Sequence, residues 1–295
     1  MIGFIGLGIM GRPMAKNLLA AGIPVMVSIH NAKKAKELKA LGASIGSSKE
    51  IGENCEIVIL MLPNGQVSKD VLFGEDALAA HLKPGSLVCD MSSVDPNESI
   101  ACQKGLEKVG CTFMDAPVSG SESGAVAGTL AIMAGGSKED FARMKPYFAI
   151  MGGSYILVGP VGSGSITKLC NQMIVNNTIA VVSEAFVLAA KTGCDPKKVY
   201  QAIRGGLAGS AVLDQKVPMM LERNFTPGGT LTIINKDLKN ILNTAHAADV
   251  PVPYSAQLYE ILQALKVHGH SGDDHSGIVQ YFEQLAGITV GKVPE

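Results

Sequence analysis

Short apolar runs alternate with segments of helical apolar spacing over the first half of the chain. The apolar runs predict strands at residues 2–5, 24–29, 56–62, 86–91, 112–118, 130–134 and 155–158. The run at 56–62 is apolar after its first residue, which is typical of a strand covered on both faces. Strands that alternate with helices, such as the helix predicted at 138–149, indicate an α/β domain built on a parallel sheet.

The second half of the chain has helical patterns only. The first of them covers residues 163–191, and at about 1.5 Å per residue it spans roughly 40 Å, enough to pass from one domain into the next. Further helical patterns lie at 196–204, 211–221, 236–248, 254–267 and 278–285. We therefore predict an α/β fold with two domains. A Rossmann-type, doubly wound N-terminal domain (1–162) precedes an all-α C-terminal domain (163–295), and a long interdomain helix at 163–192 joins them.

A glycine-rich turn connects the first predicted strand to the first predicted helix. Gly6 permits a tight turn, Gly8 lets a pyrophosphate approach the backbone, and Gly11 lets helix and strand pack closely. The helix N-terminus offers backbone N–H groups and a positive dipole end to phosphates. Glycine-rich turns are common, but the order strand, turn, helix is what a dinucleotide site requires. The predicted cofactor-binding residues here are Gly6, Leu7, Gly8, Ile9, Met10 and Gly11.

The end of the second predicted strand bears on which dinucleotide is bound. A site that recognises the ribose 2′-OH usually ends this strand with an acidic residue. Here it ends with Ser28-Ile29-His30-Asn31, and Lys33 and Lys34 follow. Ser28, His30 and Asn31 could hold a 2′-phosphate, although a lysine pair is also typical of a solvated helix face. The sequence slightly favours NADP(H) over NAD(H).

Three loops follow other predicted strands, at the edge of the sheet where ligands bind in this architecture. Leu62 ends its strand and Pro63 begins the first loop, and the next loop contains Ser93. These three residues are candidate cofactor-binding residues. Asp90 and Asp95 flank this second loop, and we interpret them as loop or capping residues rather than catalytic carboxylates. The third loop, at 119–124, is rich in serine and glycine, and its backbone N–H groups could cradle a carboxylate.

Composition argues against several classes of function. A formal net charge of −1 gives no broad electrostatic case for binding nucleic acid or an anionic membrane. The apolar N-terminus lacks the basic segment of a signal peptide. The apolar stretch at 169–190 is interrupted by several polar residues, so we interpret it as a buried helix and not a membrane span. Six dispersed cysteines without a CxxC pair indicate reduced thiols in a cytoplasmic protein.

Candidate chemistry outside the glycine turn centres on Lys168 and Asn171. Three residues apart on a helix, they share one face. An ammonium beside an amide suits a carbonyl or hydroxyl that exchanges a proton, although a lysine at a helix start can also simply face solvent. Lys236, at the predicted start of a helix, could reach a cofactor or lie on the surface. The histidines and aspartates at 268–275 match no standard metal-ligand spacing, so we predict no metal site.

The chain resembles the β-hydroxyacid dehydrogenase family, which is related to 3-hydroxyisobutyrate dehydrogenase, over nearly its whole length. The resemblance rests on the cofactor motif at 6–14, on Asp115-Ala116-Pro117-Val118-Ser119-Gly120 running on to Gly128-Thr129-Leu130, on Gly159, Gly162, Gly164, Lys168 and Asn171, and on Lys236-Asp237-Leu238. The segments at 199–210 and 274–276 resemble a reductase subgroup. Relatives often have Gly at the position of Ser121. They also have an aromatic and a basic residue where this chain has Gly229-Thr230.

The resemblance implies reversible hydride transfer between NAD(P)H and a small carboxylate substrate. Lys168 would exchange the proton, and Asn171 would hold the substrate hydroxyl or carboxylate. Ser119, Gly120 and Ser121 would bind the carboxylate, and Ser93 and Lys236 would line the nicotinamide end. The expected reaction is reduction of tartronate semialdehyde or a similar semialdehyde acid. The alternatives are 3-hydroxyisobutyrate dehydrogenase, another short-chain semialdehyde reductase, or a non-catalytic NADP(H)-binding module. The helical domain also suggests a dimer or tetramer.

Overall fold

The chain divides into two units, Met1–Lys168 and Leu169–Glu295, and the division falls inside a long helix. The structure, a computed structural model, describes residues 1–28 and 32–291. The predicted cofactor residues His30 and Asn31 lie outside the described residues. From the sequence alone, the boundary is expected at residues 162 and 163, where this helix begins.

Within the described residues, the first unit alternates strands with helices. Its strands β1 to β9 are Ile2–Ile5, Val25–Ser28, Ser44–Gly46, Ile57–Leu60, Leu87–Asp90, Thr112–Asp115, Val118–Ser119, Leu130–Gly135 and Gly152–Gly159. Its helices α1 to α7 are Gly11–Ala20, Ala32–Lys39, Ser48–Asn54, Gly65–Phe73, Pro96–Glu107, Ser121–Ala127 and Lys138–Met151. A short 3₁₀ helix covers Leu78–Ala80.

The strands form one sheet in the order β3-β2-β1-β4-β5-β6-β8-β7, and β9 pairs with β8. Strands β1 to β6 pair in parallel. At one end the sheet departs from parallel pairing, because β8 runs antiparallel to both β6 and β7. Since β6 and β7 both run antiparallel to β8, they run parallel to each other. The carboxyl ends of β1 to β7 therefore lie along one edge of the sheet.

Alternate side chains of the central strands enter two separate cores. On β4, Ile57 and Ile59 pack with residues of α1, α2 and α7, whereas Val58 and Leu60 pack with residues of α3, α4 and α5. This explains the continuous apolar run, since both faces of the strand are covered by helices. The prediction of a doubly wound α/β fold is confirmed.

The second unit is helical. Helix α8 (Ser163–Lys191) begins in the first unit, and α9 to α13 follow at Pro196–Ile203, Ala211–Glu222, Leu231–Ala247, Pro253–Val267 and Val279–Ala286. A 3₁₀ helix at His275–Ile278 precedes the last of them. Residues of α8, α10, α11, α12 and α13 share one core, which includes the fully buried Phe186 and Ile234.

Helix α8 is long and apolar enough, by length and composition, to cross a membrane. A core helix of a water-soluble protein passes the same test. In α8 the buried face carries polar groups as well as apolar ones, including Gln172, Asn176 and Ser183. Such groups are costly in lipid, and this favours the interpretation as a core helix.

Candidate active site

The glycine turn between β1 and α1 has the geometry that its sequence predicts. Gly6 has a φ of +105°, and a Cβ on it would clash with the carbonyl oxygen of Met61. A Cβ on Gly11 would clash with the carbonyl oxygen of Gly6. By contrast, a Cβ on Gly8 would meet no heavy atom within 4 Å. The backbone at Gly8 is therefore open to a ligand at the start of α1, which fits the pyrophosphate of a dinucleotide.

The loops after β4 and β5 are joined by Ser92. Its Oγ accepts the backbone N–H of Leu62 at 2.8 Å, and its own N–H donates to Asp90 Oδ1 at 2.9 Å. Burial raises the pKa of the Asp90 carboxyl, although the hydrogen bonds from Ser92 oppose this shift. These contacts fix the loops that carry Leu62, Pro63 and Ser93. Asp90 is thus the buried last residue of β5, and its carboxylate caps the loop that follows.

Asp95, the second carboxylate of this region, caps helix α5. Its Oδ1 accepts the backbone N–H of Asn97 at 2.8 Å, and Asp95 and Glu98 form a capping box. The interpretation of Asp95 as a capping residue is confirmed.

The serine- and glycine-rich stretch after β7 is only partly a loop. Ser119 ends β7, Gly120 follows with a φ of 143°, and helix α6 then begins at Ser121. Ser121 has a φ of +58°, in the left-handed region that favours glycine. Its Oγ donates to the carbonyl oxygen of Gly120 at 2.6 Å. The prediction of a loop over 119–124 is wrong beyond Gly120, because the residues from Ser121 onward form helix α6. Gly124 and Ala125 are the buried residues of this helix.

The start of α8 is held by Asp115, the last residue of β6. Asp115 Oδ1 accepts the N–H of Gly162 at 2.8 Å, and Oδ2 accepts the N–H of Ser165 at 2.6 Å. Asp115 is 1% exposed, and burial raises its pKa while the two N–H donors oppose the shift. The hydroxyl of Ser165 also lies 3.1 Å from that of Ser99 on α5. Helix α8 therefore starts from the ligand-binding edge of the sheet.

Lys168 lies one turn beyond this cap and is 9% exposed. It closes the first unit, while Asn171 and Lys236 belong to the second. In the first unit, the predicted residues that the structure brings to one edge are those that end or follow β1, β2, β4, β5 and β7, with the start of α8 beside them. They are Gly6, Leu7, Gly8, Ile9, Met10, Gly11, Ser28, Leu62, Pro63, Ser93, Ser119, Gly120 and Ser121.

In the second unit, a chain of hydrogen bonds connects Asn171 to α11. Asn171 Nδ2 donates to Gln172 Oε1 at 2.9 Å, and Gln172 Nε2 donates to Asp237 Oδ2 at 2.7 Å. Lys236 Nζ lies 3.3 Å from Asp237 Oδ1. Asp237 is 1% exposed and Gln172 is 7% exposed. Gln172 is a residue of the site that the sequence does not predict. Its position four residues after Lys168, on the same helix face, is the signal that could have identified it.

Lys236 lies in the middle of α11 and does not open it. The helix begins at Leu231, and its N-cap is Thr230, whose side chain accepts the N–H of Ile233. The preceding residue, Gly229, lies against His275, whose Nε2 would be 2.7 Å from a Cβ on Gly229. Thr230 therefore caps the helix that carries Lys236, and Gly229 lets the backbone approach the ring of His275.

The acidic and histidine residues near 270 form structural contacts. Asp274, which is fully buried, accepts hydrogen bonds from Lys216 Nζ at 2.8 Å, Ser276 N at 2.9 Å and Gly228 N at 3.2 Å. His270 Nδ1 lies 3.0 Å from Asp273 Oδ2. In the part of the chain that the structure describes, no three His, Cys, Asp or Glu side chains are grouped so as to hold a metal ion.

Comparison with known families covers most of the chain. Residues 1–159 match the NAD-binding domain of 6-phosphogluconate dehydrogenase, and residues 162–282 match the NAD-binding domain of NADP-dependent 3-hydroxyisobutyrate dehydrogenase. The matches establish a nicotinamide dinucleotide as the cofactor type.

Individual relatives align along nearly their whole length. A 2-hydroxy-3-oxopropionate reductase from Escherichia coli is 40% identical over 97% of this chain and 98% of the relative. A mitochondrial 3-hydroxyisobutyrate dehydrogenase from Rattus norvegicus is 33% identical over 96% of this chain and 87% of the relative. Among solved structures, the 3-hydroxyisobutyrate dehydrogenase of Mycobacterium tuberculosis has a TM-score of 0.85 and 30% identity, covering 95% of this chain and 97% of that one. The chain belongs to the β-hydroxyacid dehydrogenase family of NAD(P)-dependent oxidoreductases, which act on the CH–OH group of small hydroxy acids.

Proposed function

We propose that this protein reduces tartronate semialdehyde (2-hydroxy-3-oxopropanoate) to glycerate with NAD(P)H. The observation that carries the proposal is the placement of Lys168. It is 9% exposed and lies one turn after a helix start that Asp115 fixes at the ligand-binding edge of the sheet. The 40% identity to a 2-hydroxy-3-oxopropionate reductase supports this substrate over other small hydroxy acids.

The residues at the sheet edge divide into those for the cofactor and those for the substrate. The turn at residues 6–11 would hold the pyrophosphate on backbone N–H groups at the start of α1. Leu62, Pro63 and Ser93, on the loops that Ser92 joins, would line the dinucleotide, with Lys236 at its nicotinamide end. Ser119, Gly120 and Ser121 would bind the substrate carboxylate through hydroxyl and backbone donors.

The bound nicotinamide cofactor supplies the hydride that reaches the aldehyde carbon. Lys168 gives a proton from Nζ to the aldehyde oxygen as the CHO group becomes CH₂OH, and its amine then takes a proton back from solvent. Asn171, three residues along the same helix, holds the substrate in place for this transfer. The protein thus provides placement and the proton, while the cofactor provides the reducing equivalent.

The cofactor proposed is NADP(H), slightly preferred over NAD(H). The last residue of β2 is Ser28 and not an acid, so no carboxylate ends the strand to repel a 2′-phosphate. Lys33 and Lys34 lie on α2, which follows. His30 and Asn31 are expected to contribute to the same site.

Initial rates of cofactor oxidation with tartronate semialdehyde, measured separately with NADPH and NADH, test the substrate and the cofactor together. We expect turnover with both and a higher kcat/KM with NADPH. A higher kcat/KM with NADH would contradict the cofactor preference alone. Turnover of only longer semialdehydes or of 3-hydroxyisobutyrate would contradict the substrate. Cofactor binding without any turnover would indicate a non-catalytic module.

The role of Lys168 has its own test. Lys168→Ala should lower kcat by about 10²-fold or more, the contribution of a general acid, while the Kd for NADPH stays within the wild-type range. Lys104→Ala, which removes an exposed lysine of α5, is the matched control and should leave both quantities unchanged. Full turnover by Lys168→Ala would exclude Lys168 as the proton donor.

The proposal includes self-association to a dimer or tetramer in the cytoplasm, without nucleic-acid or membrane partners. Ile174, Val181 and Leu188, spaced by seven residues on α8, are 70%, 62% and 64% exposed, and an apolar stripe of this kind supports burial against another chain. All six cysteines are free thiols, which supports a reducing compartment. Light scattering at micromolar concentration tests the assembly, and a monomeric mass would contradict it.

A further inference from the structure

The hydrogen-bond chain from Asp237 to Asn171 has a direction, and the direction is set at Asp237. An ionised carboxylate accepts hydrogen bonds and cannot donate them. Asp237 is 1% exposed, and its Oδ1 forms an ion pair with Lys236 Nζ at 3.3 Å. Any amide that contacts Asp237 Oδ2 must therefore present its NH₂ group.

This requirement fixes the orientation of Gln172. Its Nε2 donates to Asp237 Oδ2 at 2.7 Å, a short, charge-assisted hydrogen bond. Because the two ends of an amide point apart, the Oε1 atom of Gln172 then faces Asn171. The second amide is fixed in turn, since Asn171 must direct its own NH₂ group at that oxygen, and the Nδ2–Oε1 distance is 2.9 Å.

We infer that Gln172 and Asp237 are positioning residues that make Asn171 an acceptor toward the substrate. With Nδ2 directed at Gln172, the atom that Asn171 turns the other way is its carbonyl oxygen Oδ1. A carbonyl oxygen attracts a hydroxyl hydrogen and repels a carboxylate. Through Oδ1, Asn171 therefore holds a hydroxyl group of the substrate rather than its carboxylate.

The inference rests on the proposed function and makes it more specific. Tartronate semialdehyde carries a hydroxyl at C2, beside the aldehyde carbon that is reduced. Malonate semialdehyde (3-oxopropanoate) has the same carboxylate and aldehyde but no hydroxyl. The enzyme should therefore select for a hydroxyl at C2, through a hydrogen bond that Asn171 accepts.

The test is the ratio of kcat/KM for tartronate semialdehyde to kcat/KM for malonate semialdehyde, with NADPH. The wild-type ratio should be above one. Gln172→Met keeps the side-chain length but removes both amide atoms, and Asp237→Asn keeps the shape but removes the acceptor-only group. Each should lower the ratio by about tenfold, the contribution of one hydrogen bond, and Gln172→Met should leave the Kd for NADPH unchanged.

A charge swap distinguishes positioning from a general structural role. In the double variant Gln172→Glu with Asp237→Asn, the carboxylate at 172 accepts from both neighbouring amides, so Asn171 keeps its orientation. The ratio should return toward the wild-type value, whereas damage to the fold would be greater in the double variant than in either single one. Gln263→Met is the matched control. It removes another amide pair of this unit, in which Gln263 Nε2 donates to Asn235 Oδ1 at 2.9 Å, and should leave the ratio unchanged.

Failure of the inference can be separated from failure of the proposed function. Equal kcat/KM for the two aldehydes in the wild type, or a double variant no better than the singles, would overturn the inference and leave the reductase in place. If neither aldehyde is reduced, the proposed function fails. The hydrogen-bond chain is then tested by ¹⁵N NMR of the asparagine-labelled protein with NADPH bound. Slow exchange of the Asn171 side-chain amide protons in the wild type that becomes faster in Gln172→Met supports the hydrogen-bond chain. Equal exchange rates in the two proteins refute it.

Discussion

The carboxylate of Asp115 accepts the backbone N–H of Ser165 at 2.6 Å, and this bond joins the end of a central strand to the first turn of α8. The other carboxylate oxygen accepts the N–H of Gly162 at 2.8 Å. One buried side chain thus satisfies two of the N–H groups that a helix start leaves without intrahelical partners. It also sets the direction in which the helix leaves the sheet, and Lys168 lies one turn further on.

Asp115→Asn should lower the free energy of unfolding by about 1–3 kcal/mol and lower kcat as well. An asparagine offers one oxygen, so either Gly162 or Ser165 would face an NH₂ group in place of an acceptor. Asp95→Asn is the control, because asparagine caps a helix as well as aspartate does. Urea unfolding and steady-state kinetics measure both effects. Equal stability of the two variants would show that the second oxygen of Asp115 has no role.

Lys216→Met should destabilise the second unit strongly, because it leaves the carboxylate of Asp274 buried without its countercharge. Lys216 Nζ lies 2.8 Å from Asp274 Oδ1, and the Asp274 side chain is 0% exposed. Loss of one partner of a buried pair costs about 3–5 kcal/mol. Lys49→Met removes the exposed pair with Glu53, in which the side chains are 64% and 50% exposed, and should cost under about 1 kcal/mol. Comparable losses in the two variants would contradict the buried-pair interpretation.

The ion pair between Lys216 and Asp274 also predicts that the stability of the fold depends on pH. Burial alone would raise the pKa of Asp274, but the hydrogen bond from Lys216, the N–H of Ser276 and the charge of Lys216 lower it below its ordinary value of 3.8. Because the folded-state pKa is below the unfolded-state value, the pair stabilises the fold above pH 3.8 and this stabilisation is lost as the pH falls through the folded-state pKa. The stability deficit of Lys216→Met should therefore narrow on acidification. A deficit that is constant with pH would exclude a role for the charge.

Ser121→Gly should stabilise the protein by about 1 kcal/mol, because a side chain in the left-handed region costs about 1–2 kcal/mol that glycine does not incur. Ser121 has a φ of +58°. Ser123→Gly, within α6, is the matched control and should instead lose about 0.5–1 kcal/mol. Thermal unfolding of both variants measures the difference. A loss of stability in Ser121→Gly would mean that the hydrogen bond from its hydroxyl to Gly120 outweighs the strain.

Asn176→Leu should raise the free energy of unfolding by about 1–3 kcal/mol, the cost of leaving a buried polar group unsatisfied. Asn176 is 0% exposed, and neither polar atom of its amide has a hydrogen-bond partner among the described residues. The neighbouring Asn177 donates to Met173 O at 2.8 Å and to Ser255 Oγ at 3.3 Å, so Asn177→Leu should give no gain. Destabilisation by Asn176→Leu in urea unfolding would show that its amide is hydrogen-bonded in solution.

The parts of the fold that local patterns encode were predictable. Continuous apolar runs identified the strands with helices on both faces, and the glycine spacing identified the turn where a Cβ at Gly6 or Gly11 would clash. The three-residue strand Ser44–Gly46 was too short to give a pattern. Helix α6 was missed because its small residues carry no apolar stripe. The start of α11 was placed too late because Thr230, Thr232, Ile233 and Ile234 are β-branched, a composition that favours strands when it is read locally.

The parts of the site that depend on contacts between distant residues were not predictable. Asp115 was recognised as part of a motif, but its two N–H partners near residue 165 depend on how β6 and α8 meet. The role of Gln172 depends in the same way on Asp237, which lies on another helix. Such contacts are set by packing, and spacing along a single chain does not encode them.

The clash between a Cβ at Gly11 and the carbonyl oxygen of Gly6 has a consequence for evolution. Both glycines are required for the first strand and helix to pack, whether or not a dinucleotide is bound. A descendant that had lost its catalytic activity would still be selected to keep them for folding alone. Retention of these two glycines is therefore weak evidence for activity in any member of the family. The informative positions are Lys168, Asn171 and Gln172, which a helix could lose without losing its fold.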